Sequence, residues 1–172
     1  NNPVISNKAW KLNSSPLGSI HIHDLWISGS NVRGSRNHGI VLTDFYSTVD
    51  NVYISDTGGY GMYFASETEN GTFNATTLVE NNFTNSTLRN CNQGFRNGST
   101  SDVETPKLTD GHISNIRIDM SSNFTGEVFE LYEAAGWHVA GLHTYAHGTS
   151  LKFDKLSAAN LSDFYIENRG TD

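Results

Sequence analysis

The sequence predicts an all-β fold, and three of its features support that prediction. The charged fraction is only 17%, and Asn, Ser, Thr and Gly take the place of charged residues, as in chains rich in turns. Aromatic residues make up 11% of the chain, so it carries enough apolar surface to fold rather than stay disordered. Short apolar runs with period-2 alternation recur between clusters of Gly, Asn, Asp and Ser, which is typical of strands joined by turns.

A five-residue motif repeats along the chain. The run DLWIS at 24–28 returns as NVYIS at 51–55, with aliphatic, aromatic and aliphatic residues in the same order. Looser copies follow, and we take the second aliphatic position of each copy as its marker: Ile27, Ile54, Leu88, Ile118, Leu142 and Ile166. A second apolar run follows each motif, and in the clearest copies it begins with Gly39, Gly61 and Gly94.

Repeats of this length predict stacked units, because one unit alone cannot bury its apolar side. The strands are too short for a sandwich and show no helical periodicity, which favours a parallel β-helix, a solenoid of about six coils over residues 19–168. Stacked markers would each contribute roughly 1.5 to 3 kcal/mol by burial. An antiparallel sandwich or jelly roll is the main alternative, whereas a propeller needs repeats of about 40 residues.

The 172 residues predict one domain, residues 1–172, which is long enough to bury a core. We expect this domain to be a segment of a longer chain, because the sequence begins with Asn.

Composition excludes several classes of partner. The net charge of -7 and the lack of a Lys and Arg cluster argue against nucleic acid and against an anionic membrane surface. No apolar run approaches the ~20 residues that cross a bilayer, so no membrane insertion is expected. Cys91 is the single cysteine, which excludes an internal disulfide. No cofactor is predicted, and no metal site, because no set of acidic or Cys residues completes a site around the histidines.

Runs of the form Asn-Val-x-Ile-x, followed by Asp or Asn and later by Gly and an apolar residue, resemble the right-handed β-helix superfamily. That superfamily includes pectate lyases, polygalacturonases and bacteriophage tailspikes, and the resemblance covers about residues 19–168. The chain looks most like a segment of a tailspike or a related polysaccharide-processing protein. This resemblance implies a right-handed, single-stranded solenoid, a homotrimer, and a location that is extracellular or on the virion tail. The run Asp110-Gly111-His112 is similar to a polygalacturonase motif but lacks the following Gly.

If the markers point inward, the residues that follow them point outward, and equivalent positions on successive coils lie ~4.8 Å apart. The residues after the markers form the first predicted ladder: Ser28, Ser55, Arg89, Asp119, His143 and Glu167. The outward positions of the second apolar run form the second predicted ladder: Val41, Tyr63, Arg96, Glu130 and Lys152.

The ladders hold candidate catalytic residues for cleavage of a polysaccharide. Asp119 and Glu130 belong to one coil and flank one turn, so they are the first candidate pair for a glycoside hydrolase, which uses two carboxyl groups. A polysaccharide lyase would instead use His143 as the base, with Arg89 or Arg96 stabilising the charge that develops on an acidic sugar. The alternative interpretation is that the ladders are solvated salt bridges.

The aromatic position of the motif supplies candidate substrate contacts. Trp26 and Tyr53 would lie on neighbouring coils as a platform for sugar rings, with Tyr63 and Lys152 as further contacts. Exposed aromatic residues also mark subunit interfaces. The sequence therefore predicts a polysaccharide-binding and polysaccharide-degrading protein. The alternative is a noncatalytic structural or receptor-binding module, such as a phage tail shaft or an adhesin.

Overall fold

The structure is a computed structural model, and it describes residues 3–12, 18–30, 37–71, 78–98, 108–120, 127–132, 134–146 and 151–168. In chain order, the elements in these ranges are β1 (Ile5–Ser6), α1 (Lys8–Leu12), β2 (His21–Ser28), β3 (Ile40–Leu42), β4 (Thr48–Ser55), β5 (Tyr60–Phe64), β6 (Leu78–Val79), β7 (Asn82–Thr84), β8 (Thr87–Arg89), β9 (Gln93–Asn97), β10 (Leu108–Thr109), β11 (His112–Asp119), β12 (Phe129–Tyr132), β13 (Ala134–Ala135), β14 (His138–Ala146), β15 (Leu151–Asp154) and β16 (Asn160–Asn168).

These strands form three sheets with parallel pairing. The first sheet has the order β16-β14-β11-β7-β4-β2, with β8 beside β4 and β11; the second is β1-β3-β5-β9-β12-β15; the third is β13-β10-β6. Between the first-sheet strands of one repeat and those of the next, the chain contributes one strand to the second sheet. The protein is therefore all-β with stacked parallel sheets, as a β-helix or solenoid requires, and the described strands do not form an antiparallel sandwich.

The predicted column of markers is confirmed over its first four members. Ile27 pairs with Ile54, Ile54 with Leu88, and Leu88 with Ile118, each through a parallel register. All four side chains are buried in one apolar core between the sheets. Phenylalanine rings extend the same core, with Phe95 stacked 4.9 Å from Phe129 between ring centroids.

The prediction that Leu142 continues this column is wrong. Ile118 pairs with Thr144, which in turn pairs with Ile166, whereas Leu142 lies two residues earlier and pairs with Ile116. A shift of two residues keeps every side chain on its own face of the sheet, so alternation alone cannot detect it. Thr144 occupies the core position that the sequence pattern expects an aliphatic residue to fill.

In each repeat, the part of the chain that belongs to the first sheet bends at a residue with left-handed backbone conformation. These residues form a column, in which φ lies between 49° and 66°: Asp24, Asn51, Asn85, Asn115, Gly141 and Asp163. Another left-handed residue lies five positions before each of these: Ser19, Tyr46, Glu80, Asp110, Gly136 and Ala158. Asn and Asp tolerate this conformation better than other residues with side chains, which explains why they recur at the start of the five-residue motif.

Side-chain amides hydrogen-bond along this bend column. Asn51 donates from Nδ2 to Asp24 Oδ1 at 2.6 Å, and Asn115 donates from Nδ2 to Asn85 Oδ1 at 2.9 Å. Hydrogen bonds between stacked Asn and Asp side chains therefore add to the register that the backbone sets.

Glycine begins the second apolar run because the chain approaches a neighbouring strand too closely for a side chain. A Cβ added at Gly94 would lie 2.1 Å from the Val128 carbonyl oxygen, and one added at Gly39 would lie 2.4 Å from the Gly61 carbonyl oxygen.

The described ranges contain no helix with the length and apolar character needed to cross a bilayer. Helix α1 has five residues, and it lies against β3 on the outer side of the second sheet.

Replacing Thr144 with Val is expected to stabilise the protein. Thr144 is buried, and its Oγ1 has no hydrogen-bond partner among the residues that the structure describes. Val keeps nearly the same volume and removes the unpaired hydroxyl, so the free energy of unfolding should rise by about 1 to 2 kcal/mol, measured by urea denaturation. Thr84→Val is the matched control. Thr84 donates a hydrogen bond to Asp50 at 2.6 Å, so this substitution should lower the free energy of unfolding. A Thr144→Val protein no more stable than wild type would contradict the expectation.

Candidate functional site

The outward side of the first sheet carries a continuous column of polar and aromatic side chains, which we call the first-sheet face. Register pairing places these residues side by side on six strands: Trp26, Tyr53, Thr87, Arg117, His143 and Tyr165. Trp26 and Tyr53 are neighbours, as predicted, with ring centroids 5.3 Å apart in an edge arrangement. His143 and Tyr165 form a similar pair at 4.6 Å.

The aromatic ends of this face are exposed. Trp26 is 78% exposed and Tyr165 is 59% exposed. A large ring in water presents an apolar face to any ligand that can cover it.

The centre of the first-sheet face is charged. Arg117 Nη2 lies 3.7 Å from Asp119 Oδ2, and Asp119 is the register partner of Arg89. The hydrogen bond from Arg89 to Tyr53 is the main cause that raises the pKa of Arg89. Two arginines therefore lie near one carboxylate here, of which Arg117 forms the ion pair, in a protein whose overall charge is negative.

Two cavities open in this central part. One of about 280 Å³ lies among Tyr53, Thr87, Arg89, Arg117 and Asp119. The other, of about 300 Å³, shares Thr87 and Arg117 with the first, so the two follow one another across the strands.

Gly141 contributes to the second cavity by leaving a gap in the bend column. Asn or Asp occupies that position on the neighbouring strands, whereas Gly141 has no side chain. His143 lies two residues further along β14 and lines the same cavity. The absence of one side chain from an otherwise regular column thus creates space beside Asn115.

Thr87 and Arg117 are functional candidates that the sequence pattern did not predict. The signal for Arg117 is present, because it occupies in its repeat the motif position that Trp26 and Tyr53 occupy in theirs. Because Leu142 is not the marker of its strand, the predicted place of His143 in the first ladder is also wrong: His143 aligns with Arg117 rather than with Asp119. The true register partner of Asp119 on β14 is Tyr145.

The register of the second predicted ladder is confirmed. Val41 pairs with Tyr63, Tyr63 with Arg96, Arg96 with Glu130, and Glu130 with Lys152. All five side chains belong to one column on the side of the second sheet that faces away from the first.

The prediction that this whole ladder faces solvent is wrong. Val41, Tyr63 and Glu130 are 0%, 4% and 2% exposed. The cause at Val41 and Tyr63 is α1, whose Trp10 packs with them in a cluster separate from the main core. Asn7 holds this helix in place, because its side chain accepts from the Thr43 amide and donates to the Thr43 carbonyl.

Arg96 is the centre of a buried network on this side. Its Nη1 donates to the Tyr60 hydroxyl at 2.8 Å, and its Nε donates to the Gly98 carbonyl at 2.9 Å. The guanidinium also lies over the Tyr132 ring, 5.0 Å from the centroid, and Nε is 3.9 Å from Glu130 Oε2. These contacts fix the cation in one position, which favours a structural role.

Glu130 shares this network. Its Oε1 accepts a hydrogen bond from the Tyr60 hydroxyl at 3.3 Å. Burial raises the pKa of the Glu130 carboxyl above its ordinary value of 4.5, although Arg96 opposes the shift. Lys152, the exposed end of the ladder, pairs with Glu127 at 3.2 Å.

Asp119 and Glu130 lie on consecutive strands of one repeat, β11 and β12, but these strands belong to different sheets. Asp119 lies beside Arg117, and Glu130 lies beside Arg96. The contacts therefore place each carboxylate with its own arginine, and the role of the two as a catalytic pair stays a prediction.

In the part of the chain that the structure describes, no three His, Cys, Asp or Glu residues gather so that they could hold a metal ion. Comparisons with protein-family models, with curated proteins and with solved structures find no match to this chain.

Glu130→Gln is expected to change how stability depends on pH. A raised pKa means that folding favours the protonated carboxyl, so this stability is complete below about pH 4.5 and is lost as the pH rises through the raised pKa. The unfolding free energy of wild type minus that of Glu130→Gln should therefore fall as the pH rises from about 4 to about 7. Urea denaturation across this range measures it, with the exposed Glu80→Gln as the matched control. A difference that grows with pH would show that the attraction of Arg96 outweighs burial.

Proposed function

We propose that the chain is part of a right-handed parallel β-helix of about six coils, and that it binds polysaccharide along the first-sheet face. The handedness is the one that nearly all parallel crossover connections adopt. The observation that carries the proposed function is the continuous column from Trp26 to Tyr165 across six strands. At ~4.8 Å per strand, this column is roughly 24 Å long, which suits an extended polymer better than a compact ligand.

The chemistry of the face also suits sugars. Aromatic rings at both ends can pack against the apolar faces of sugar rings. Between them, Thr87, Arg117 and Asp119 offer donors and acceptors that can bond hydroxyl groups.

The charge of the centre favours an acidic polysaccharide. Arg89 and Arg117 line the cavity of about 280 Å³ together with one carboxylate, that of Asp119, while the charge of Asp56 acts on Arg89 from outside this lining. Carboxylate or sulfate groups on the polymer would therefore gain attraction that a neutral polymer lacks, and salt would weaken that attraction.

A second candidate function is a noncatalytic structural or receptor-binding module that assembles with further copies. The observation that favours it is the exposure of apolar side chains on the two edge strands of the first sheet, Leu25 and Trp26 on β2 and Tyr165 and Ile166 on β16. Exposed aromatic residues are enriched at protein interfaces. Both candidates suit the extracellular or virion location that the family resemblance implies.

Trp26→Ala is expected to weaken binding of polygalacturonate about tenfold, because one aromatic contact contributes roughly 1 kcal/mol or slightly more. Isothermal titration calorimetry measures the affinity, and neutral dextran should bind more weakly than polygalacturonate. Tyr46→Ala is the matched control, since Tyr46 is also exposed but lies outside the first-sheet face. Equal affinity of wild type and Trp26→Ala for polygalacturonate would contradict the proposed site and favour the structural module.

Cleavage of the bound polymer is the further step of this proposal. Incubation with polygalacturonate should release reducing ends by hydrolysis, or unsaturated products if His143 acts as the base of a lyase. For the predicted hydrolase pair to act together, Glu130 has to leave the Arg96 network in which it is buried, so the two carboxylates are tested separately. Asp119→Asn should lower the rate at least a hundredfold, and Glu130→Gln should do the same only if the pair acts as predicted, with circular dichroism to check that both variants fold. A rate unchanged by either substitution would remove that residue from the catalytic role.

A further inference from the structure

A separate cavity lies on the outer side of the second sheet, under helix α1. Its volume is about 260 Å³, and one side of it is the segment that follows β5. The residues that line it include Trp10, His38, Tyr60, Tyr63, Glu67 and Arg96. Tyr63 and Arg96 are predicted from the sequence, but the cavity is not, because it exists only where α1 folds back on the sheet.

The walls of this cavity are held in place by contacts on both sides. The Glu69 amide donates to the Trp10 carbonyl at 2.9 Å, and Lys11 Nζ pairs with Glu69 Oε2 at 2.9 Å. Helix α1 is thereby attached to the segment after β5, so the space between them is formed before any ligand arrives. A preformed site avoids the cost of ordering its walls on binding.

Aromatic rings line much of the cavity. His38 stacks on Tyr60 with ring centroids 5.6 Å apart, and Trp10 meets His38 edge to face at 6.5 Å. Tyr63 lies 5.3 Å from Tyr60. Arg96 lies over the Tyr60 and Tyr63 rings, 5.3 and 5.4 Å from their centroids, and both rings are nearly buried. The rings therefore shape a rigid wall and leave only a small part of their apolar surface to contact a sugar ring.

Glu67 and Arg96 supply the polar groups. Tyr63 donates its hydroxyl to Glu67 Oε1 at 3.1 Å, which leaves the second oxygen of this half-buried carboxylate able to accept. Arg96 spends two of its N–H groups on Tyr60 and on the Gly98 carbonyl, and a guanidinium has five. An acceptor and a donor at fixed positions beside aromatic rings are what ring hydroxyls require.

The charges select against an acidic ligand. Glu67 and Glu69 both line the cavity, and Lys11 pairs with Glu69, so Glu67 is the lining carboxylate that most disfavours an acidic ligand. Arg96, the one Lys or Arg that lines the cavity among the described residues, already faces Glu130. The volume is also slightly below the range for drug-sized ligands, which favours a single ring.

We infer that this cavity binds one neutral sugar ring, packed against the aromatic wall and hydrogen-bonded to Glu67 and Arg96. The site lies on a different sheet from the first-sheet face and favours ligands of different charge. The protein would therefore hold two independent carbohydrate sites, one for an acidic polymer and one for a neutral unit.

Titration of the protein with the methyl glycosides of glucose, galactose and mannose tests the inference. At least one should bind with a dissociation constant on the order of 1 mM, because so small a ligand makes few contacts. Saturation-transfer NMR detects such binding, and shifts of the tryptophan indole signals locate it near Trp10. The matching methyl uronides should bind at least tenfold more weakly.

Glu67→Ala should lower the affinity for the neutral glycoside about tenfold, whereas Glu80→Ala, an exposed carboxylate outside the cavity, should leave it unchanged. Tyr63→Phe is a second variant, which removes only the hydroxyl that orients Glu67 and should lower the affinity less. Saturating polygalacturonate should not displace the glycoside, so failure of the first-sheet site and failure of this one can be told apart. No binding of any neutral glycoside, equal affinity in Glu67→Ala, or tighter binding of the uronides would overturn the inference.

Discussion

The register between parallel strands of the first sheet is the constraint on which the rest of the structure depends. Backbone hydrogen bonds and the buried column Ile27, Ile54, Leu88 and Ile118 fix each strand against the next. Once that register is fixed, every outward side chain aligns with its equivalents at the strand spacing of ~4.8 Å. The alignment of side chains on the first-sheet face therefore follows from the apolar column buried beneath it.

The left-handed bends let this register persist although the repeats differ in length. In each repeat the chain bends at the same two places, five residues apart, so the segment that follows can vary in length without displacing the core. The amide of Asn51, bonded to Asp24, shows how the bend residues also connect neighbouring repeats. Polar composition, which could be read as disorder, instead supplies the residues that these bends require.

The two sheets show how one alternation pattern yields two kinds of surface. The first-sheet face is open, with exposed rings at its ends and an Arg-rich centre. The corresponding side of the second sheet is partly covered by α1, so Tyr63 becomes part of the wall of a cavity. Arg96 on the same side is buried in its network with Tyr60, Glu130 and Tyr132. An open face suits an extended polymer and an enclosed cavity suits a single ring, so we propose a different ligand for each.

The sequence by itself determined the strands, their parallel stacking, and most of the register. Period-2 alternation separates buried from outward positions, and for this reason the column from Val41 to Lys152 could be aligned correctly from the sequence. Trp26 and Tyr53 were placed side by side on the same grounds. A two-residue shift preserves alternation, so only pairing in space could show that Thr144, and not Leu142, continues the core column.

Tertiary structure alone decided which outward residues are covered. Helix α1 folds against a part of the chain that is distant in sequence, and its Trp10 contacts Val41 and Tyr63 there. A pattern of neighbours along the sequence carries no information about such a contact, because burial depends on which surfaces meet in space. The burial of Glu130 and the cavity beside Glu67 therefore could not be predicted from the spacing of residues. The column of aligned residues to which Glu130 belongs could be predicted.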